Sequence, residues 1–141
     1  MQNKSRVLVA ACLLTAGALV NAPAAQAANE DCVFQLDNPH ASHHVPGNTN
    51  AAATIRCNSA KNYLGITVEL FSHTPVAQRV GFAEWGNDSG TAKFYRLNAD
   101  WNQCHNGMVM SAHAKYAVVD KNGNPTLQEK DSGRVTVRNC P

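Results

Sequence analysis

This sequence lacks several motifs and composition patterns that commonly indicate a particular function. It has no second long apolar run after residue 20, no cluster of lysine and arginine, and no Cys-x-x-Cys spacing. The first absence argues against a later membrane span, which needs about 20 apolar residues. Without a basic cluster, nucleic-acid binding and attachment to an anionic membrane lack their electrostatic source. The cysteine spacing does not match a zinc site.

Catalytic motifs are missing as well. The chain contains no Gly-x-Ser-x-Gly sequence, and no serine, histidine and aspartate stand at a recognisable catalytic spacing. We therefore predict a protein that is not an enzyme and that needs no cofactor. A small secreted hydrolase is the first alternative. It would use Glu84, His113 or both, since a carboxylate and an imidazole are suited to acid–base chemistry.

The first 27 residues have the three parts of a secretory signal peptide. Lys4 and Arg6 form a basic head, residues 7–20 are almost entirely apolar, and Ala25-Gln26-Ala27 puts small residues at the −3 and −1 positions. We predict cleavage after this tripeptide, secretion, and a mature chain of residues 28–141. Its 114 residues suit a single domain, and its ten basic residues balance ten acidic ones.

Four cysteines remain after the leader, which contains the fifth, Cys12. An even number of cysteines in an exported chain predicts two disulfides, which can be connected in three ways. Sequential pairing, Cys32–Cys57 and Cys104–Cys140, is favoured because each pair flanks a stretch with the pattern of a hairpin or short meander. Oxidation would also remove the thiolate that a cysteine nucleophile requires.

Alternation of apolar and polar residues predicts an all-β fold. The clearest strand is Tyr63–Phe71, in which four apolar residues alternate with polar or small ones. Met108–Val119 suits a helix or a strand by composition, and the following Asn122-Gly123 turn favours the strand. Further strands are predicted over residues 32–36, 51–59, 76–85, 92–97 and 134–138, with a loop over 98–107. Six or seven short strands predict a small antiparallel β-sandwich of the immunoglobulin-like type.

Three histidines lie close together in the turn-rich segment of residues 38–50: His40, His43 and His44. Neutral imidazoles are good ligands for copper, zinc and nickel. Extracellular metal binding through this loop is therefore a second alternative function. The competing interpretation is a solvated loop whose histidines bind nothing.

Aromatic residues on a rigid sheet make effective binding surfaces, because they bring a large contact area at low entropic cost. Trp85 precedes a predicted turn, Tyr95 follows it, and Trp101 lies in the next predicted loop. We predict that these three residues contribute to a binding surface, with core packing as the alternative for the two tryptophans. Phe82 and Phe94 are assigned to the core, where large apolar side chains mostly lie.

The chain resembles small secreted two-disulfide proteins of actinobacterial type. The resemblance is carried by Thr54-Ile55-Arg56-Cys57, Cys104-His105-Asn106-Gly107 and Arg138-Asn139-Cys140. In style it is similar to the tendamistat-like α-amylase inhibitors, which are secreted β-sandwiches with two sequential disulfides and a Trp-Arg-Tyr tripeptide on a turn. This chain lacks that tripeptide, and Phe94-Tyr95-Arg96 is its nearest sequence. The resemblance implies a secreted β-sandwich, without implying amylase inhibition.

These features together predict an exported, non-enzymatic binding or inhibitor protein. Small size, a neutral mature chain, two disulfides and the missing catalytic motifs all favour this class. The expected partner is an extracellular protein or an envelope component. No nucleic acid and no membrane span after cleavage are expected.

Overall fold

The computed structural model describes residues 31–141, in which every regular element is a β-strand. In chain order, the strands are β1 (Cys32–Leu36), β2 (His40–Ala41), β3 (Thr49–Cys57), β4 (Tyr63–Ser72), β5 (Gln78–Asn87), β6 (Phe94–Trp101), β7 (Val109–Val119), β8 (Pro125–Asp131) and β9 (Val135–Thr136). The predicted signal peptide, residues 1–27, lies outside the described residues, as does the predicted mature start at Ala28. Residues 31–141 contain no helical segment with the length and hydrophobicity of a membrane span.

The strands form two antiparallel sheets. In sheet A, β3 is central, with β1 and β2 paired to one of its edges and β6 to the other. In sheet B, the order is β5-β4-β7, and β8 and β9 both pair with the remaining edge of β7. The predicted fold class, an all-β antiparallel sandwich with two disulfides, is confirmed. Among the described strands, seven have five or more residues and two have only two.

The core lies between the sheets because alternate residues of each inner strand point inward. In β4 the inward residues are Leu64, Ile66, Val68 and Leu70, and all four are at most 1% exposed. Tyr116 on β7 crosses the core, and its hydroxyl donates a hydrogen bond to the carbonyl of Gln35 on β1. Its ring packs on Phe34 with the centroids 5.1 Å apart. Burial raises the pKa of Tyr116, so it remains a neutral donor that joins the two sheets.

Both disulfides have the predicted sequential pairing. Cys32 and Cys57 are direct neighbours in the β1–β3 ladder, so their bridge joins two strands of sheet A. Cys104–Cys140 joins the segment after β6 to the C-terminal segment. With sequence separations of 25 and 36 residues, the chain-entropy model gives a stabilisation of about 3.5 to 4 kcal/mol for each bridge. Two disulfides are typical of a protein that folds in an oxidising compartment.

The strand predictions are correct for the inner strands and need correction toward the edges. Residues 98–101, predicted as a loop, continue β6 because they pair with residues 49–52 of β3. The sequence pattern predicts no strand over Pro125–Asp131, where Leu127 is the one large apolar residue, but the free edge of β7 supplies the hydrogen bonds that order it as β8. The predicted strand over Arg134–Arg138 is reduced to the two residues of β9. Met108–Val119 is a strand, as predicted.

Candidate functional site

The exposed aromatic side chains are not the ones that the sequence predicts. Phe82 and Phe94, assigned above to the core, are 51% and 49% exposed, so that assignment is wrong. Strand register is the reason. Phe82 pairs with Glu69 and Phe94 pairs with Arg56, and residues directly opposite each other share one face of a sheet. Both phenylalanines therefore lie on outer faces, one on each sheet.

The three aromatic residues predicted for binding lie on the inward faces instead. Trp85, Tyr95 and Trp101 are half-buried and pack against the core. The rings of Trp85 and Tyr95 stack nearly parallel, with 3.7 Å between their centroids. This stack fills the side of the sandwich where β5 and β6 run next to each other. A role in binding for these three residues stays a prediction.

An arginine covers each exposed phenylalanine. The Arg56 guanidinium lies 5.3 Å from the centroid of the Phe94 ring, and that of Arg79 lies 5.2 Å from the centroid of Phe82. Arg79 is also paired with Glu69, with 2.7 Å between Nη1 and Oε1. Arg56 has no carboxylate within ion-pair distance in residues 31–141. Its charge is therefore available to a carboxylate of a ligand.

We define the Phe94 site as Val33, Arg56, Lys93 and Phe94. Three of these residues are register partners on β1, β3 and β6, so they form one row across the outer face of sheet A. Val33 is 57% exposed. Lys93 lines an open groove of about 410 Å³ together with Arg56 and Phe94, and it has no ion pair within the described chain. The site thus combines two exposed apolar side chains with two cations that no carboxylate neutralises.

Covalent and hydrogen-bonded links fix the backbone of the Phe94 site. The Cys32–Cys57 disulfide joins the residues next to Val33 and Arg56, so it links β1 to β3 directly beside the row. The N–H of Cys57 also donates a 2.8 Å hydrogen bond to the carbonyl of Lys93. A pre-organised surface loses less conformational entropy when a ligand binds.

Other cations close to the site in the sequence are already paired. Arg96 binds Asp37 with 2.7 Å between Nη2 and Oδ2. Lys61, only 5% exposed, lies 2.5 Å from an oxygen of Asp31. Hydrogen bonds from the Lys61 ammonium and the Ser59 hydroxyl lower the pKa of Asp31 to about 2. Both ion pairs neutralise their cations, in contrast to the two cations of the Phe94 site.

The structure brings two of the three predicted metal ligands together. The rings of His40 and His43 lie 5.7 Å apart between centroids, and Nδ1 of His40 is 2.8 Å from the carbonyl oxygen of Asn38. His44 is exposed, and its backbone N–H donates to the hydroxyl of Ser42. In the described part of the chain, no group of three histidine, cysteine, aspartate or glutamate side chains forms a possible metal site. Metal binding by this loop stays a prediction.

The two residues of the hydrolase alternative are separated by a strand. Glu84 on β5 and His113 on β7 lie on the outer face of sheet B, with β4 between them. Two strand spacings separate their backbones by about 9.6 Å, and within residues 31–141 no hydrogen bond or ion pair joins the two side chains. His113 instead contacts Asp131, with 2.8 Å between Nδ1 and Oδ1. The geometry does not bring Glu84 and His113 together as an acid–base pair.

A serine–histidine pair is present that the sequence does not suggest, because its members lie 38 residues apart. Nε2 of His73 is 2.8 Å from Oγ of Ser111, while its Nδ1 is buried without a partner. Since buried unpaired N–H groups are rare, the favoured tautomer carries its proton on Nε2 and donates it to the serine. An imidazole in this form cannot accept the serine proton, and within residues 31–141 no third group contacts its Nδ1 atom. The pair therefore lacks the arrangement of an activated nucleophile.

Comparison with known proteins identifies no family for the chain. No protein-family model matches it, and no curated protein matches it either. Among solved structures, it is similar to a CARDB domain from Pyrococcus furiosus, crystallised in complex with di-metal ions. The sequence identity is 15% and the TM-score is 0.41, over 77% of this chain and 88% of that chain.

Proposed function

We propose that this chain is an exported, non-enzymatic binding protein whose Phe94 site docks a protein surface with carboxylates beside apolar side chains. The row of Val33, Arg56 and Phe94 carries the proposal, because it places an unneutralised guanidinium between two exposed apolar groups. The two disulfides support export, since such bridges persist in oxidising compartments. The partner would be an extracellular protein or an envelope component.

The chemistry of the Phe94 site suits an acidic partner. Arginine and aromatic residues are the side chains that most often dominate the energy of protein interfaces. A carboxylate bound to Arg56 would gain a charge-assisted hydrogen bond, which is about twice as strong as a neutral one. Val33 and Phe94 would bury apolar area around that bond, and Lys93 would add long-range attraction for the same charge.

A peptide of defined composition tests this proposal. The probe is an acetylated and amidated octapeptide in which glutamate and valine alternate, titrated into the mature protein by calorimetry. The substitution Arg56→Gln should weaken binding at least tenfold, because it removes the charge that the carboxylates meet. Arg79→Gln is the matched control, since Arg79 covers Phe82 in the same geometry and already binds Glu69. It should leave the affinity unchanged.

Two results would contradict the proposal. One is the absence of binding at millimolar peptide, and the other is an equal effect of the two arginine substitutions. The phenylalanines give a second comparison that does not depend on charge. Phe94→Ala should weaken binding severalfold, while Phe82→Ala should not. Both residues are about half exposed, so neither substitution leaves a cavity in the core.

A further inference from the structure

The edge strands of the two sheets differ in how they are protected from pairing with another chain. Pro39 interrupts the edge formed by β1 and β2, and β8 begins with Pro125 and ends in three charged residues, 129–131. The pairing of β5 shifts register opposite Leu70/Phe71. Prolines, charges and bulges are the devices by which proteins prevent strand addition. By contrast, β6 pairs in register over eight residues without a proline or a bulge. It carries two charged residues, of which Arg96 is paired with Asp37 and Asp100 lies at the end that approaches β5.

Part of the outer edge of β6 has free backbone groups. The hydrogen bond from Cys57 to Lys93 makes these two residues a hydrogen-bonded pair. In an antiparallel ladder such pairs alternate with pairs whose backbone groups point away from each other. The N–H and C=O groups of Phe94, Arg96 and Asn98 therefore point away from β3. Within the described residues, no backbone group pairs with them on that side.

The free edge is limited at one end by β5. The carbonyl of Asp100 approaches Gly81 so closely that a Cβ atom there would lie 2.9 Å from the carbonyl oxygen. Toward the start of β6, the stacked rings of Trp85 and Tyr95 occupy the inward side of the sandwich. Residues 94–98 therefore combine a free backbone edge, the basic Phe94 site on the outer side and aromatic rings on the inner side.

We infer that the partner binds as an extended acidic segment that adds to the edge of β6 as a further strand of sheet A. This inference rests on the proposed function and specifies the conformation of the ligand at the same site. Outward side chains of the added strand would lie beside Phe94 and Arg96. They would be next to the Arg56 guanidinium, because that group lies over the Phe94 ring on β6, 5.3 Å from its centroid. Inward side chains would lie toward Tyr95. A second copy of this chain fits less well, because it would bring like charges of the two Phe94 sites together.

Backbone methylation of the octapeptide tests the inference. In an antiparallel pair, directly opposed residues share a face, and every second opposed pair exchanges both hydrogen bonds. Because the backbone groups of Phe94, Arg96 and Asn98 point away from β3, the residues opposite them on an added strand would form these hydrogen-bonded pairs. Methyl groups on the glutamate nitrogens should therefore weaken binding at least 20-fold, because the glutamates face outward with Phe94 and Arg96. Methyl groups on the valine nitrogens should change the affinity less than threefold. The reverse selectivity would indicate parallel addition and would equally support the inference.

Equal affinities of the two methylated peptides, whether retained or lost, would overturn strand addition. The proposed function would still stand if the unmethylated peptide bound in an Arg56-dependent way, so the two failures are distinguishable. Asn98→Pro tests the same point from the protein side. It removes one outward N–H and leaves the bonds to β3 intact, as proline on an edge strand can.

We expect the Asn98→Pro protein to fold and to bind the octapeptide at least tenfold more weakly. Unchanged affinity of this folded variant would overturn the inference. Sedimentation of the unliganded protein tests whether a second copy of this chain binds the edge of β6 instead. The inference would also be overturned if the unliganded protein were a dimer that the octapeptide does not dissociate and that the Asn98→Pro substitution does. That result would mean that a second copy of the chain occupies the edge of β6.

Discussion

Phe82 and Phe94 are exposed on the outer faces of opposite sheets, and their immediate surroundings are nearly the same. Each is about half exposed, and each lies 5.2 to 5.3 Å from an arginine guanidinium. The difference is a single carboxylate, because Glu69 binds Arg79, whereas no carboxylate of residues 31–141 binds Arg56. The same local geometry thus gives a self-contained charge pair on sheet B and an unsatisfied cation on sheet A. An exposed aromatic side chain is therefore not sufficient to identify a candidate binding site, and the charge beside it must be considered as well.

The two strands that carry these phenylalanines also differ at their backbone edges. The pairing of β5 with β4 contains a register shift, whereas β6 pairs regularly with β3. The Cys32–Cys57 disulfide lies beside the Phe94 site, and the second disulfide joins loop segments elsewhere. An arginine without a carboxylate partner in residues 31–141, a regularly paired edge strand and a neighbouring disulfide therefore occur together at Phe94. They do not occur together at Phe82.

Removal of the Cys32–Cys57 disulfide beside the Phe94 site should have the strongest effect on stability. The double substitution Cys32→Ser and Cys57→Ser should lower the free energy of unfolding by about 3.5 kcal/mol. It should also weaken binding of the octapeptide, because β1 and β3 lose the bridge beside the row. Urea denaturation and calorimetry measure the two quantities. Cys104→Ser with Cys140→Ser is the control, with a similar loss of stability and unchanged affinity. Equal losses of affinity would remove the link between this disulfide and the site.

A second substitution would give Arg56 a carboxylate partner, as Arg79 has beside Phe82. Val33 lies directly opposite Arg56, so Val33→Glu would supply the carboxylate that Glu69 supplies to Arg79. Octapeptide affinity should fall about tenfold, or about 1.4 kcal/mol, while the free energy of unfolding should change by less than about 1 kcal/mol. Val33→Gln loses the same apolar area without adding charge and should bind more tightly than the glutamate variant. Identical affinities of the two variants would show that charge is not the deciding factor.

A weaker effect is expected from the ion pair of Lys61 with Asp31, whose cation is neutralised, unlike the two cations of the Phe94 site. It concerns how the free energy of unfolding depends on pH. The Lys61 and Ser59 hydrogen bonds lower the pKa of Asp31 to about 2 in the folded protein, from an ordinary value of 3.8. The folded state therefore binds this proton less readily than the unfolded chain. The contribution to stability is complete above about pH 4 and is lost as the pH falls toward 2.

Acid titration of the free energy of unfolding measures this contribution. Asp31→Asn should show a smaller decrease in stability between pH 4 and pH 2 than the unsubstituted protein. Asp88→Asn, in the exposed loop between β5 and β6, should retain the full decrease. If both variants lost stability in parallel with the unsubstituted protein, the Lys61–Asp31 pair would not contribute to acid sensitivity.

Sequence alone predicted the inner part of this molecule well. The alternation in Tyr63–Phe71 marks β4, because a strand with one buried face must alternate apolar and polar residues. The even number of cysteines, and the hairpin-like stretch that each sequential pair flanks, predicted both disulfides. The edges were harder to predict. In Pro125–Asp131 the strand exists because β7 offers it hydrogen bonds, and its own residues give little signal.

The candidate site shows where sequence information ends. In β6, Phe94 and Arg96 occupy one face and Tyr95 and Leu97 the other, so either orientation would bury an aromatic ring. The chain itself thus determined that a strand forms here, that its side chains divide into two faces, and that two disulfides can form. Which face points outward depends on tertiary contacts, because pairing with β3 and the stack of Tyr95 on Trp85 place the other face inside. That choice, made by contacts between residues distant in the sequence, leaves Phe94 and Arg56 on the surface.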